Sequence, residues 1–244
     1  MPTTIYEPRG KAREYSPLAA NLYKGCSHAC IYCFAPSATR TDRAMFSKAA
    51  YIRPRQLVLE QLAKDAVSMA GDPRPILLSF TSDAYQPLEK KLGLTRKALE
   101  ILAANGLTPQ ILTKAGAWSI RRDADVLASC GGIWAATLTT DDPLLSQEWE
   151  PFAALPADRI EALRLAKEAG LQTWVSFEPV IDPPAVYRLI EATRGFVDLY
   201  KVGRLNYHPH ALTIDWPHFR ETSIAILEKF GKKYYIKHDL AAAM

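Results

Sequence analysis

Gly25-Cys26-Ser27-His28-Ala29-Cys30-Ile31-Tyr32-Cys33-Phe34 is the stretch on which the reading of this chain turns. Of the four cysteines in 244 residues, three fall within eight positions, spaced C-x3-C-x2-C. Three thiolates so placed suit one [4Fe–4S] cube and leave its fourth iron without a protein ligand. An open iron is a place to bind something. The same loop admits two plainer readings, a Cys3His zinc site that uses His28 and a disulfide framework. Structural zinc ligands usually come as two separated pairs, which this loop does not supply. Residues 1–20 show no leader with an n-region and an h-region, and crowded cysteines fit a reducing cytosol, so a cytoplasmic location is expected.

Outward from the loop, hydrophobic content of 48% over 244 residues supports a large core and a single domain. No run reaches the roughly 18 apolar residues that a membrane span needs. Charge is uneven: residues 1–55 hold nine Lys/Arg against three Asp/Glu, whereas the remainder holds 21 against 23. The cysteine end is the positive end. Strand and helix patterns alternate, which predicts a parallel α/β sheet. A first strand leads into Lys24-Gly25, and further strands are expected at 76–80, 109–113, 133–139, 171–177 and 197–202, with an extended segment at 233–236. Helices are expected at 54–69, from a Thr95 cap through 104, and at 121–129, 157–169, 184–193 and 217–230. Periodicity alone does not separate a barrel from a doubly wound sheet.

The cysteine spacing, with Tyr32 beside the last thiol, resembles the signature of the radical SAM superfamily. Three segments, 21–35 around the cysteines, Thr81-Ser82-Asp83-Ala84-Tyr85-Gln86-Pro87-Leu88-Glu89 and Ile111-Leu112-Thr113-Lys114, look like the branch that contains spore photoproduct lyase. The resemblance implies a partial (β/α)6 TIM-type barrel formed by residues 1–244 as one catalytic domain, with a lead-in at 1–17 and the cluster loop at 25–36. It also implies a [4Fe–4S] cluster on Cys26, Cys30 and Cys33, S-adenosylmethionine (SAM) as cofactor, and an electron donor such as flavodoxin or ferredoxin. One electron from the cluster then breaks the S–C5′ bond of SAM, and the resulting 5′-deoxyadenosyl radical takes hydrogen from a substrate.

Chemistry in such barrels sits at the carboxyl ends of the strands. After the strand at 76–80, Ser82 and Asp83 are expected beside the cofactor, Tyr85 as a catalytic group and Gln86 beside the substrate; a Pro-containing turn capped by Asp explains the same residues. Lys114 suits the methionine carboxylate, or is a solvated cation. Thr137 and Thr139 offer hydroxyls to ribose, or are β-branched strand formers. The resemblance brings Arg159, with Glu150, to the SAM carboxylate; the competing view is an exposed helix charge. Glu178 and Arg204 are further catalytic candidates, and Asn206, Tyr207 and His208 candidate substrate contacts, although a loop histidine is usually surface.

The branch points to DNA or a nucleoside as substrate. Arg40, Arg43, Lys48, Arg53 and Arg55, opposed only by Asp42, supply phosphate contacts or a solvated helix lead-in. Spore photoproduct lyases carry a long segment ahead of the cluster, whereas 25 residues precede Cys26 here. They also use a downstream cysteine as hydrogen donor and a tyrosine after the third cluster cysteine. Phe34 holds that tyrosine's place, and the spare thiol, Cys130, reads as a small buried hydrophobe. A lyase or isomerase acting on a modified base is therefore expected rather than dimer repair by the lyase's own route. A radical SAM enzyme of peptides or small metabolites, and a zinc-stabilised nucleic-acid-binding module, are the alternatives.

Overall fold

Strands buried on both faces read as short apolar runs between amphipathic helices, and the chain folds on that plan. The computed structural model describes residues 3–243. Its strands are β1 (Ile5–Tyr6), β2 (Leu18–Ala20), β3 (Tyr23–Lys24), β4 (Arg53–Pro54), β5 (Ile76–Leu78), β6 (Pro109–Thr113), β7 (Ile133–Thr137), β8 (Gln172–Phe177), β9 (Leu199–Val202) and β10 (Lys233–Ile236). Eight of them form one sheet in the order β1-β2-β5-β6-β7-β8-β9-β10. β1 runs antiparallel to β2, and every other neighbouring pair in that sheet is parallel. Helices Val58–Ser68, Leu94–Ala104, Ala117–Ser129, Pro156–Glu168, Pro183–Thr193 and Trp216–Lys229 separate successive parallel strands. The fold is a partial (β/α)6 barrel. The six strand–helix units include the cluster strand β2, and β10 adds a further parallel strand at the edge.

Alternation along the strands divides two environments. Leu78, Ile111, Trp134, Ala136, Val175, Phe177 and Tyr200 pack with the helices in the hydrophobic core. The intervening residues Gln110, Thr137, Trp174, Ser176 and Lys201 project to the opposite, concave face. Apolar contact with the helices holds the sheet, and polar side chains line the hollow.

Several boundaries differ from expectation for reasons outside local sequence. The helix expected at 121–129 begins at Ala117, because Asp158 of the neighbouring helix accepts the Ala117 N–H at 2.9 Å. Thr95 is not the cap of its helix. The buried Glu89 carboxylate accepts the N–H groups of Leu94 and Thr95, each at 3.0 Å, while the Thr95 hydroxyl donates to the Ala84 carbonyl. The strands expected to reach residues 80 and 139 end at Leu78 and Thr137, where the chain turns into the loops of the barrel mouth.

Candidate active site at the carboxyl ends of the strands

The cysteine loop leaves β2 through β3, which pairs antiparallel with β4, Tyr23 opposite Pro54 and Lys24 opposite Arg53, so the loop is closed at its base. Gly25 has φ +71°, and a Cβ there would lie 2.7 Å from the Phe46 carbonyl oxygen, which also accepts the Cys26 N–H. Only glycine combines that dihedral with that approach. Arg43 donates to the carbonyls of Cys33 (2.8 Å) and Cys30 (3.3 Å), bracing the second half of the loop. Cys26, Cys30 and Cys33 thus line one cavity of about 190 Å³ together with Arg43 and Phe46. Among the described residues no three His, Cys, Asp or Glu side chains converge as a single-ion site. A cube asks for something else, one thiolate per iron around a shared volume, and this donor set fits it. Burial pushes the Cys30 thiol up to about 12 and Cys26 higher still, so cluster assembly must displace their protons.

The loop after β5 fastens this cavity to the barrel. Asp83 accepts from the Tyr85 N–H (2.8 Å), the Thr113 hydroxyl (2.7 Å) and the Lys114 N–H (2.8 Å), and stands 3.4 Å from Nδ1 of buried His28. Burial holds the His28 pKa below its usual value against the pull of Asp83. Gln86, fully buried, accepts from the Ser27 N–H (3.0 Å) and donates to the Gly25 carbonyl (3.3 Å). Its amide is occupied by the cluster loop, a correction to its expected place beside a substrate. Tyr85 is corrected too. Its ring sits between Trp118 and Trp134 in the outer layer, and its hydroxyl donates to Asp123 at 2.8 Å. The Tyr85 side chain thus points under the helices, while the next residue, Gln86, turns back to the cysteine loop.

Beyond the loop lies a buried ionic network. Arg159 and Glu150, each 1% exposed, form an ion pair at 2.5 Å. The guanidinium also donates to the Ala154 carbonyl (2.7 Å) and the Thr137 carbonyl (3.1 Å), and the Tyr32 hydroxyl donates to Glu150. Burial opposes ionisation of Glu150, but Arg159 and Lys114 outweigh it and hold the carboxyl below its ordinary value. The expected exposed-charge alternative for Arg159 is thereby excluded, and its donors are turned to protein rather than to the mouth. Lys114 Nζ lies 5.6 Å from the centre of the Tyr32 ring; burial opposes its charge, but Cys30 and Glu150 raise its pKa. Its charge acts on Cys30 and Cys33 from the barrel side of the loop.

Around the mouth, buried hydroxyls stand without hydrogen-bond partners at Ser79, Ser82, Thr139 and Ser176. Orphaned polar atoms are costly in a folded protein, and these are grouped after β5, after β7 and on β8, at the carboxyl ends of the strands. Glu178, at the end of β8, accepts from the Tyr15 hydroxyl and pairs with Lys237 from the end of β10. Gly203 makes room for it, since a Cβ there would lie 2.8 Å from the Glu178 carboxyl carbon. Sequence reading missed Tyr15 and Lys237, because residues 15, 178 and 237 meet only through the fold. Tyr15 also offers its carbonyl to Gln110 and Lys201, so the lead-in crosses the concave face rather than leaving it.

The loop after β9 divides. Arg204 lies over Trp216, 4.9 Å to the ring centre, with its Nε unpartnered, and Asn206 bonds locally to the Arg204 carbonyl. Tyr207 is 94% exposed beside Lys11, at the outer edge of this loop. His208 packs on Trp149 at 4.7 Å between ring centres, and the Trp149 carbonyl accepts the Ile31 N–H of the cluster loop. Cys130 closes the helix that precedes β7, at the amino end of that strand, so it stands across the barrel from the cysteine loop.

The sequence model of the Radical SAM superfamily matches residues 20–194. This chain belongs to the radical SAM superfamily. Its cofactors are accordingly a [4Fe–4S] cluster and SAM. An uncharacterized protein of Methanocaldococcus jannaschii is 30% identical over 189 residues, 76% of this chain and 69% of its own length. An uncharacterized Mycobacterium tuberculosis protein is 31% identical over 172 residues, 66% of this chain. This radical SAM chain spans about half the length of that relative, 48%. Among solved structures, spore photoproduct lyase with bound AdoMet and dinucleoside spore photoproduct superposes with TM-score 0.71 and 14% identity, covering 95% of this chain and 79% of the lyase. Streptococcus suis SuiB bound to S-adenosylmethionine gives 0.64 and 12%, covering 89% and 49%. The radical SAM fold is shared with both, and no helix among the described residues is long and apolar enough to cross a membrane.

Proposed function

We propose that residues 1–244 act as one radical SAM catalytic domain that takes hydrogen from a nucleic-acid or nucleoside substrate, in a lyase- or isomerase-type reaction on a modified base. The observation that carries the reading is the cavity bounded by Cys26, Cys30 and Cys33 at the carboxyl ends of the strands, beside a basic surface. Bound there, the reduced cluster and SAM supply a 5′-deoxyadenosyl radical. The chain's own residues hold and shield. Cys26, Cys30 and Cys33 ligate the cluster, and Asp83, His28 and Gln86 fix the loop that presents them. Lys114 is placed to meet the methionine carboxylate, and Ser82, Thr139 and Ser176 offer hydroxyls to the rest of SAM. Arg159 acts through Glu150 and Tyr32 as a positioning residue. Glu178, held by Tyr15 and Lys237, faces the hollow with Arg204 as the polar edge of the substrate space.

Nucleic acid is favoured by charge and by fold. Arg40, Lys48 and Arg53 are exposed beside the cysteine loop, and the fold is that of a lyase solved with a dinucleoside. The substrate reading is tested by anaerobic reconstitution, reduction and addition of SAM, with 5′-deoxyadenosine measured with and without oligonucleotide or modified thymidine. Stimulation by either is expected. Production that ignores both would move the substrate to peptides or small metabolites. Loss of stimulation when a flavodoxin or ferredoxin replaces dithionite would remove those donors from the proposal. Cys30→Ala is expected to abolish cluster and turnover together.

A further inference from the structure

A second and larger cavity, about 510 Å³, lies outside the barrel at the base of the cysteine loop. Its volume is in the range of sites that hold a nucleotide-sized ligand. Lys24 and Arg55 line it with Tyr6, Asn21, Gln56 and Gln61, and none of its lining residues is acidic. Neither cation belongs to an ion pair among the described residues. Arg55 is half-buried, its one side-chain bond runs to the Thr81 hydroxyl at 3.4 Å, and its Nε is buried without a partner. A half-buried guanidinium with no ion-pair partner and no acidic residue in the cavity lining is stabilised when an anion completes it. The first turn of the helix Val58–Ser68 faces the same space, adding the positive end of its dipole. Tyr6 accepts from the Asn21 amide at 2.8 Å, which leaves its own hydroxyl hydrogen to donate.

Position identifies the anion's source. Lys24 stands opposite Arg53 across β3 and β4, and exposed Arg53, Lys48 and Arg40 extend the cationic surface from this cavity along the cysteine loop. Asn21 accepts the N–H groups of Phe80 and Thr81, each at 2.9 Å, so the cavity wall is continuous with the loop that carries Ser82 and Asp83. A phosphate held here sits on a path that leads to the mouth.

We infer that this cavity is a phosphate-binding site that holds one nucleotide unit of a polynucleotide outside the barrel while another part of the strand reaches the active site. This inference rests on the nucleic-acid reading above. Its test is binding of a short fluorescent thymidine homopolymer to the reconstituted full chain between about 50 and about 200 mM salt, by anisotropy. Lys24→Gln with Arg55→Gln is expected to weaken binding about tenfold and to lower the salt slope by about 1.4, two single-strand phosphate contacts. Lys24→Gln alone, an exposed residue with no structural bond, should remove about half of that slope, and Arg55→Lys should retain it. Unchanged affinity and slope in the double variant, with the polymer still stimulating 5′-deoxyadenosine formation, would overturn the cavity and leave the substrate reading intact. A wild-type chain that neither binds the polymer nor responds to it would bring down the substrate reading itself. Competition by inorganic phosphate or thymidine monophosphate as strong, per phosphate, as by the polymer would assign the cavity to a small phosphate and refute the polynucleotide.

Discussion

Replacing Arg159 with methionine separates a positioning role from direct contact with SAM. The guanidinium is 1% exposed and holds Glu150 at 2.5 Å, with further bonds to the Ala154 and Thr137 carbonyls. Removing one member of a buried pair leaves the other charged and uncompensated, which costs about 3–5 kcal/mol. For a domain of this size each kcal/mol moves Tm by about 2–4 °C, so Arg159→Met should lower it by about 6–20 °C. Removing both charges in Glu150→Leu with Arg159→Met should recover most of that loss, because the uncompensated carboxylate is gone. The assay is thermal unfolding of the cluster-free chain, followed by the SAM dependence of 5′-deoxyadenosine formation in the reconstituted one. An Arg159→Met chain that melts within about 2 °C of wild type but needs far more SAM would refute the positioning role. Arg159 would then be a direct ligand of the methionine carboxylate.

Other expectations follow from single contacts. Gln86→Leu keeps the side-chain volume but drops both bonds to the cluster loop, so cluster content per chain after reconstitution should fall while the fold, read by circular dichroism, persists. Burial and Lys237 pull the Lys201 pKa down to about 8. The unfolded chain then binds more protons than the folded one above that pH, so wild type should gain stability over Lys201→Met by about 1 kcal/mol between pH 8 and 9, measured by denaturant unfolding. A difference that stays flat over that window would show the lysine to be solvated. Cys130→Ser should leave cluster content and SAM cleavage unchanged, since that thiol sits at the amino end of β7.

The cysteine spacing pointed to a cluster, because here all three thiolates come from one short loop and are therefore adjacent in sequence. Strand and helix order was legible for the same reason: each apolar run and each helical face is a local pattern. Boundaries set by side chains from elsewhere were not, as Asp158 capping Ala117 and Glu89 capping Leu94 show. The roles inside the loops were the least legible. Ser82, Asp83, Tyr85 and Gln86 lie within five positions, yet one hydroxyl is left open, one carboxylate ties the loop to β6, one ring enters the core and one amide clamps the cysteine loop. A sequence states which groups are present and, over a turn or two, which way they face. Which of them meet across 163 residues, as Tyr15 and Glu178 do, depends on how the sheet curves and which loops share its mouth, and that is fixed only when the core packs.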